Sequence, residues 1–359
     1  MSEAGTCQQL LEEYAPQTGL SSKLGPFGCG LASTATLRVK LLKNPFLMAP
    51  MAGVSDAAYR MMARAGGAAL AYSEMVSVAG LHFGGAKTWE LVVPKDPEPD
   101  IAVQLFGSVP EQFSEATALV SERLGTKLAL IDINMACPVP KVVRKGEGSA
   151  LLDDPARAAA IVKACVAKAA VPVTVKIRSA RRMGDHEVAP DFARTMEQAG
   201  AAAVAVHGRT ASQLYRGEAD WGVVSRVAAA VDIPVIGSGD VRTPADAARM
   251  LQKTGATAVM VARGSYGNPW IFGNAKRKLA GQDAVEPTLT QKLSAFACHV
   301  RLLEATGAHL ARARSLSGWY LRGLPHATVW RERAMHCSSA DEYLQMADAL
   351  LAYARAKEA

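Results

Sequence analysis

The chain has 359 residues, half of them apolar and 20% charged, with a formal net charge of +7, a composition ordinary for a soluble globular protein. No apolar run reaches the about 20 residues of a membrane span, and Glu3, Glu12 and Glu13 interrupt any secretory signal pattern. Six scattered cysteines lack the spacing of a zinc site or a disulfide framework, so a cytoplasmic protein with free thiols and no metal is expected; the positive charge favours a polyanionic partner only mildly.

Residues 1–36 are weakly patterned and read as a weakly structured extension. Apolar, β-rich runs bounded by Gly or Pro then recur: FLMAPM (46–51), AALAYSEM (68–75), DIAVQLFG (100–107), LALIDINM (128–135), VPVTVKIR (171–178), AAAVAVHG (201–208), IPVIGSGD (233–240) and TAVMVARG (257–264). Helix-like stretches lie between them over 55–65, 109–124, 155–169, 187–199, 219–230 and 243–254. Several open on cap chemistry, as in Ser55-Asp56, Asp153-Asp154-Pro155 and Thr243-Pro244. The strands read as near-continuously apolar, as when both faces of a sheet are covered. Eight βα units in about 230 residues are the arithmetic of a TIM (β/α)8 barrel. An α/β fold is therefore predicted, with the barrel over 37–283. After Gly281-Gln282-Asp283, AVEPTLT reads as a linker, and 284–359 carries helical periodicity alone, a smaller all-α domain.

Chemistry in this fold sits at the C-terminal ends of the strands. The first four ends carry Pro50-Met51-Ala52-Gly53, Ser73-Glu74-Met75, Gln104, and Asn134 with Cys137. The last four carry Lys176 and Arg178, His207-Gly208-Arg209, Gly237-Ser238-Gly239-Asp240, and Arg263-Gly264. Any one of these has a structural reading; eight polar clusters at one end of eight apolar strands point to a site. Glycines after the seventh and eighth strands suit a phosphate held by backbone N–H groups, with Arg263 adding a charge-assisted contact. Gln104 and Lys176 would then face a planar ring joined to that phosphate, and a lysine there would stabilise negative charge on a reduced flavin. FMN is the cofactor this suggests. The chain has no Gly-x-Gly-x-x-Gly turn between strand and helix for a dinucleotide. Taken alone, Cys137 reads as core filler, a metal ligand or a reagent.

MAPMAGVSDAAYR, SEMVS, VQLFGS, DINMACPVPKVVRKGEGSALL, VKIR, IPVIGSGDV, ARGSYGNPWIF and GWYLRGLP together resemble the tRNA-dihydrouridine synthases, most like the bacterial B-type. The resemblance implies an FMN enzyme that takes electrons from NADPH and reduces the 5,6 double bond of specific uridines in tRNA. Hydride would pass from reduced flavin to carbon 6, and Cys137 would give the proton to carbon 5. By position, Pro50, Met51 and Ala52 would line the flavin, and Gln104, Lys176 and His207 would contact its ring. Ser238, Gly239, Asp240, Ala262 and Arg263 would hold the ribityl chain and phosphate. Asn134 would meet the uracil or fix the flavin. Lys141, Arg144 and Lys145, beside the mouth, would meet RNA phosphates, together with Arg178 and Arg209. A helical face rich in Arg301, Arg312, Arg314, Arg322, Arg331 and Arg333 would bind folded RNA by shape and charge. A monomer free of membranes is expected. Ala136, Ser238 and Ala262 stand where the family usually has Gly, Asn and Gly, and Arg314-Ser315-Leu316 replaces its Arg-Lys-His. Two rival readings are an FMN reductase of a free pyrimidine or small enone, and a non-catalytic RNA-binding module.

Overall fold

A computed structural model describes residues 6–28 and 33–358. Its strands are β1 (Phe46–Met48), β2 (Tyr72–Ser77), β3 (Ile101–Phe106), β4 (Leu128–Met135), β5 (Val173–Arg178), β6 (Ala203–His207), β7 (Val235–Ser238) and β8 (Ala258–Val261). All pair in parallel in the order β1-β8-β7-β6-β5-β4-β3-β2. The two ends of that order also meet. Ala69 N–H donates to Phe46 O (2.8 Å), Met48 N–H donates to Leu70 O (2.9 Å), and Met48 bridges Ala71. The sheet is a closed TIM barrel without a free edge.

The strands alternate in a way the near-continuous apolar reading did not anticipate. Ile101, Val103 and Leu105, Ile131, Ile133 and Met135, and Val173, Val175 and Ile177 pack outward against the helices in one apolar cluster. Residues of the other parity line the barrel. Low in the barrel they are small or apolar (Ala102, Leu130, Ala203, Ile236, Ala258), forming a cluster with Leu37 and Leu41 of the helix Thr34–Lys43. That helix leads into the start of β1, so the two leucines close the N-terminal mouth. Higher up, the same parity becomes polar: Gln104, Asp132, Asn134, Thr174, Lys176, Arg178, His207 and Ser238, all buried. Inward positions face hydrocarbon below and a cavity above, and the residue types follow.

Beyond the barrel come the helices Leu289–Ala305, Arg312–Tyr320, Ala327–His336 and Ala340–Glu358. Their apolar cluster takes in the chain's other end, because Cys7–Thr18 is a helix whose Leu10 and Leu11 pack into it. This corrects the reading of 1–36 as a weakly structured extension over 7–18; residues 1–5 and 29–32 lie outside the described residues. Thr6 and Gln9 form a reciprocal capping box, and Trp270 Nε1 donates to Thr18 O (3.0 Å). The buried stripe is short, and its partner Leu289–Ala305 lies at the far end of the sequence.

The helical part sits against the barrel's C-terminal rim. Arg312 donates to Glu74 Oε1 (2.6 Å) and approaches Asp56 Oδ2 (3.0 Å). Trp319 stacks on Tyr266 with ring centroids 4.1 Å apart, and Tyr59 Oη lies 2.8 Å from Ser265 Oγ.

Candidate active site

Parallel register sets Gln104 beside Asp132 and Asn134 beside Lys176. A chain of hydrogen bonds follows from this placement. Gln104 Nε2 donates to Asp132 Oδ2 (2.6 Å), and Asn134 Nδ2 donates to Gln104 Oε1 (2.8 Å). Asn134 Oδ1 in turn accepts the backbone N–H of Ala136 (3.1 Å) and of Cys137 (2.8 Å). The turn after β4 is thus tied to the strand tip. Its far side is closed by Ser149 N–H, which donates to Cys137 O (3.0 Å). Gly148, at φ +60°, permits that closure, since a Cβ there would stand 2.8 Å from Cys137 O. Cys137 is half-buried with its thiol free. Burial pushes the thiol above its ordinary value, and the Val139 N–H, Arg178 and Lys176 pull the other way without reversing it.

Three cations and a neutral imidazole share the next strands. Lys176 is buried and has no hydrogen-bond partner among the described residues; burial, then Arg178, lower it to about 8 against the pull of Asp132 and Cys137. His207 is held well below 6.5 by burial, then by Lys176, Arg178, Arg209 and Arg263. Arg209 Nη1 lies 3.4 Å from His207 Nε2, which suits a neutral ring accepting at that nitrogen.

At the ends of β7 and β8 the backbone comes close to the cavity. Gly239 has φ +113°, and a Cβ there would meet His207 Cδ2 at 2.8 Å and Ala219 Cβ at 2.7 Å, so only glycine fits. Trp221 Nε1 fixes the Gly239 carbonyl (2.9 Å). The backbone N–H groups of Gly239, Asp240 and Ala262 have no partner among the described residues. The Arg263 guanidinium, 4.6 Å above the Tyr215 ring, stands over the same end.

All eleven residues expected at the cofactor, from Pro50 to Arg263, border one cavity of about 410 Å3 together with Asn134, Cys137 and Arg178. Lys141, Arg144 and Lys145 are exposed on and beside the short helix Pro140–Val143 that follows Cys137. Arg314 and Arg322 are exposed on the helical part.

Other expectations need correcting. Arg209 is fully buried, and its donors go to Arg216 O, Gly217 O and Asp240 Oδ2, so it cannot reach RNA. Arg178 is buried at the cavity and gives Nε and Nη1 to the carbonyls of Ala136, Thr210 and Leu214, which makes it a brace for the turn at Cys137. The Asp240 carboxylate points away from a phosphate role, because it accepts from Arg209, Ala219 N–H and Arg263. Burial would raise Asp240, but the Ala219 N–H and Arg209 hold it below the usual carboxylate value. Arg312 pairs with the largely buried Glu74 and Asp56, which removes it from the expected RNA-binding face, while Arg301 makes exposed pairs with Glu304 and Asp341. Leu316 is core.

The sequence reading missed Asp132, although it sits in the quoted DINMACP block, because nothing in an apolar run marks which parity faces inward. It also missed the cavity's Tyr215, Arg242 and Tyr266. Tyr215 lies in a loop, where no periodicity signals orientation.

A family model described as "Dihydrouridine synthase (Dus)" matches residues 47–357. The tRNA-dihydrouridine synthase B of Xanthomonas axonopodis pv. citri is 37% identical over 317 residues, 85% of this chain and 93% of that protein. The probable tRNA-dihydrouridine synthase 1 of Synechocystis sp. is 36% identical over 319 residues, 88% of each chain. The probable tRNA-dihydrouridine synthase of Treponema pallidum is 36% identical over 312 residues, 83% of this chain and 90% of that one. With barrel and C-terminal helices both inside the match, the chain belongs to the dihydrouridine synthase family.

Proposed function

We propose that the protein reduces the 5,6 double bond of particular uridines in tRNA to dihydrouridine, with FMN bound in the barrel mouth and NADPH as reductant. The observation that carries this reading is the free thiol of Cys137 sharing one cavity with Lys176, His207 and the glycine turns. The residues fit FMN. The unpaired N–H groups of Gly239, Asp240 and Ala262, with Arg263 beside them, suit a phosphate. The unpaired Lys176 amine suits the electron-rich edge of a reduced ring. Pro50, Met51 and Ala52 supply the apolar wall, and His207, being neutral, adds no competing charge. When bound, FMN supplies the hydride for carbon 6 of the uracil.

The chain's own residues do the rest. A thiol held above its ordinary pKa keeps its proton at neutral pH and can give it to carbon 5, where an enolate needs it. Asn134 presents its amide at the strand tip beside that thiol. Lys141, Arg144 and Lys145, exposed at the rim, suit the phosphates flanking a uridine turned out of its stack. Arg314 and Arg322 extend the charge across the helical part. The protein is read as a cytoplasmic monomer whose barrel, 37–283, does the chemistry and whose residues 284–359 hold the RNA.

The test is purification of the full chain followed by incubation with NADPH and unmodified tRNA transcripts. Yellow protein that releases FMN and forms dihydrouridine is expected. Yellow protein that reduces free pyrimidines but not RNA, or colourless protein that only binds RNA, would overturn the reading in favour of one of its rivals.

A further inference from the structure

Asp132 is fully buried inside the barrel, beneath the cavity and outside its lining. Its two oxygens accept from Gln104 Nε2 (2.6 Å) and Thr174 Oγ1 (2.6 Å). Resting on the function proposed above, we infer that Asp132 is a positioning residue for the reaction, the acceptor that sets the direction of an amide relay ending at the Cys137 turn.

The argument is one of hydrogen-bond polarity. A side-chain amide can face either way, because its oxygen and nitrogen are nearly the same size. Burial raises Asp132, while the Thr174 hydroxyl, the Gln104 amide and the Lys176 charge favour its ionised form; as a carboxylate it has no donor, so Gln104 offers it the NH2. That leaves Gln104 Oε1 facing Asn134, which must answer with its own NH2 (2.8 Å). Asn134 Oδ1 is then the atom left to receive the N–H groups of Ala136 and Cys137. Were either amide reversed, two NH2 groups or two oxygens would meet in a buried site, or the turn's N–H groups would face a donor. Gln104, Asp132 and Asn134 are each at most 6% exposed, and at Asp132, which does not border the cavity, solvent cannot repair such a mismatch. Asp132 therefore acts at a distance, through two amides, on the peptide that carries the thiol. The other ionisable neighbours fit this picture. Lys176 is attracted to Asp132 across the β4–β5 register, and Tyr72, whose buried hydroxyl has no partner among the described residues, is held protonated by burial and by Asp132.

The experiment compares Asp132→Leu, which removes the acceptor at similar size, with Asp132→Asn, which keeps an oxygen for Gln104 and turns its NH2 to the Thr174 hydroxyl. The first readout is hydrogen–deuterium exchange on the full chain. In Asp132→Leu, exchange at Ala136 and Cys137 is expected to quicken about tenfold, the equivalent of one lost hydrogen bond, while Ile131 and Ile133 stay unchanged. In Asp132→Asn it is expected to stay within about threefold of wild type. The second readout is dihydrouridine formation, expected to fall about tenfold in the leucine variant with KM for tRNA held within about twofold. Should Asp132→Leu fail to fold, Gln104→Met breaks the relay one link further on and is expected to show the same local exchange. Unchanged exchange, equal quickening along all of β4, or no rescue by asparagine would overturn the inference. If exchange behaves as expected while wild-type protein makes no dihydrouridine, the proposed function fails and the relay stands.

Discussion

At the tip of β4 the Cys137 peptide is held on both sides, its N–H by Asn134 Oδ1 and its C=O by Ser149 N–H, while its sulfur is left at the cavity. A redox or nucleophilic cysteine needs a lowered pKa; this one is raised by burial, which suits donation of a proton. Cys137→Ala is expected to keep FMN and to lose at least about a hundredfold in turnover, read by dihydrouridine yield per flavin. Full activity in that variant would remove the acid. Lys176 carries a pH dependence of definite sign. Its amine, lowered to about 8 by burial and Arg178, is charged below that value and neutral above it. Because the charged form is the one that stabilises a reduced ring, flavin reduction by NADPH is expected to be full near neutrality and to fall as pH rises through about 8. Lys176→Met should be slower and flat over the same range, and a flat wild-type profile would contradict the assignment.

Between elements, the contacts that shape the site join distant parts of the chain. Glu74 at β2 accepts Gly53 N–H (2.6 Å) with one oxygen and Arg312 with the other, so the helix Arg312–Tyr320 steadies the loop carrying Met51 and Ala52. Removing Arg312 leaves Glu74 and Asp56, both largely buried, without the cation they share, each keeping only a backbone N–H, from Gly53 and from Tyr59. Arg312→Ala is therefore expected to cost about 2 kcal/mol in urea unfolding, reduced from a fully buried pair because Arg312 is partly exposed, and to weaken FMN binding. Unchanged stability would show the pair to be incidental. Such links were not legible in the sequence. Strand ends were, as at His207, while Gln104 and Lys176 stood out two residues before the end of their strands. Asp132 did not, because it sits deeper, three residues before β4 ends at Met135. Arg209 was misread as an RNA contact because a basic residue at a strand end looks the same whether it faces solvent or braces a loop. The helix Cys7–Thr18 escaped notice because its buried stripe makes sense only beside Leu289–Ala305.

Over the whole molecule, the barrel closes its lower end with Leu37 and Leu41 and opens upward, with the helical part against the rim. The cavity, the rim cations Lys141, Arg144 and Lys145 and the stack of Tyr266 on Trp319 arrange chemistry, charge and docking surface around one opening. If that charge meets RNA phosphates, replacing the three cations together by glutamine should lower the salt dependence of tRNA binding by about two to three in log–log slope, leaving FMN content unchanged. An unchanged slope would place the RNA elsewhere. The most direct measurement is a map of dihydrouridine across the RNA of cells with and without this protein. Loss at one or more tRNA positions, restored by the wild-type chain but not by Cys137→Ala, is the expected result. An identical map in both cells would contradict the account.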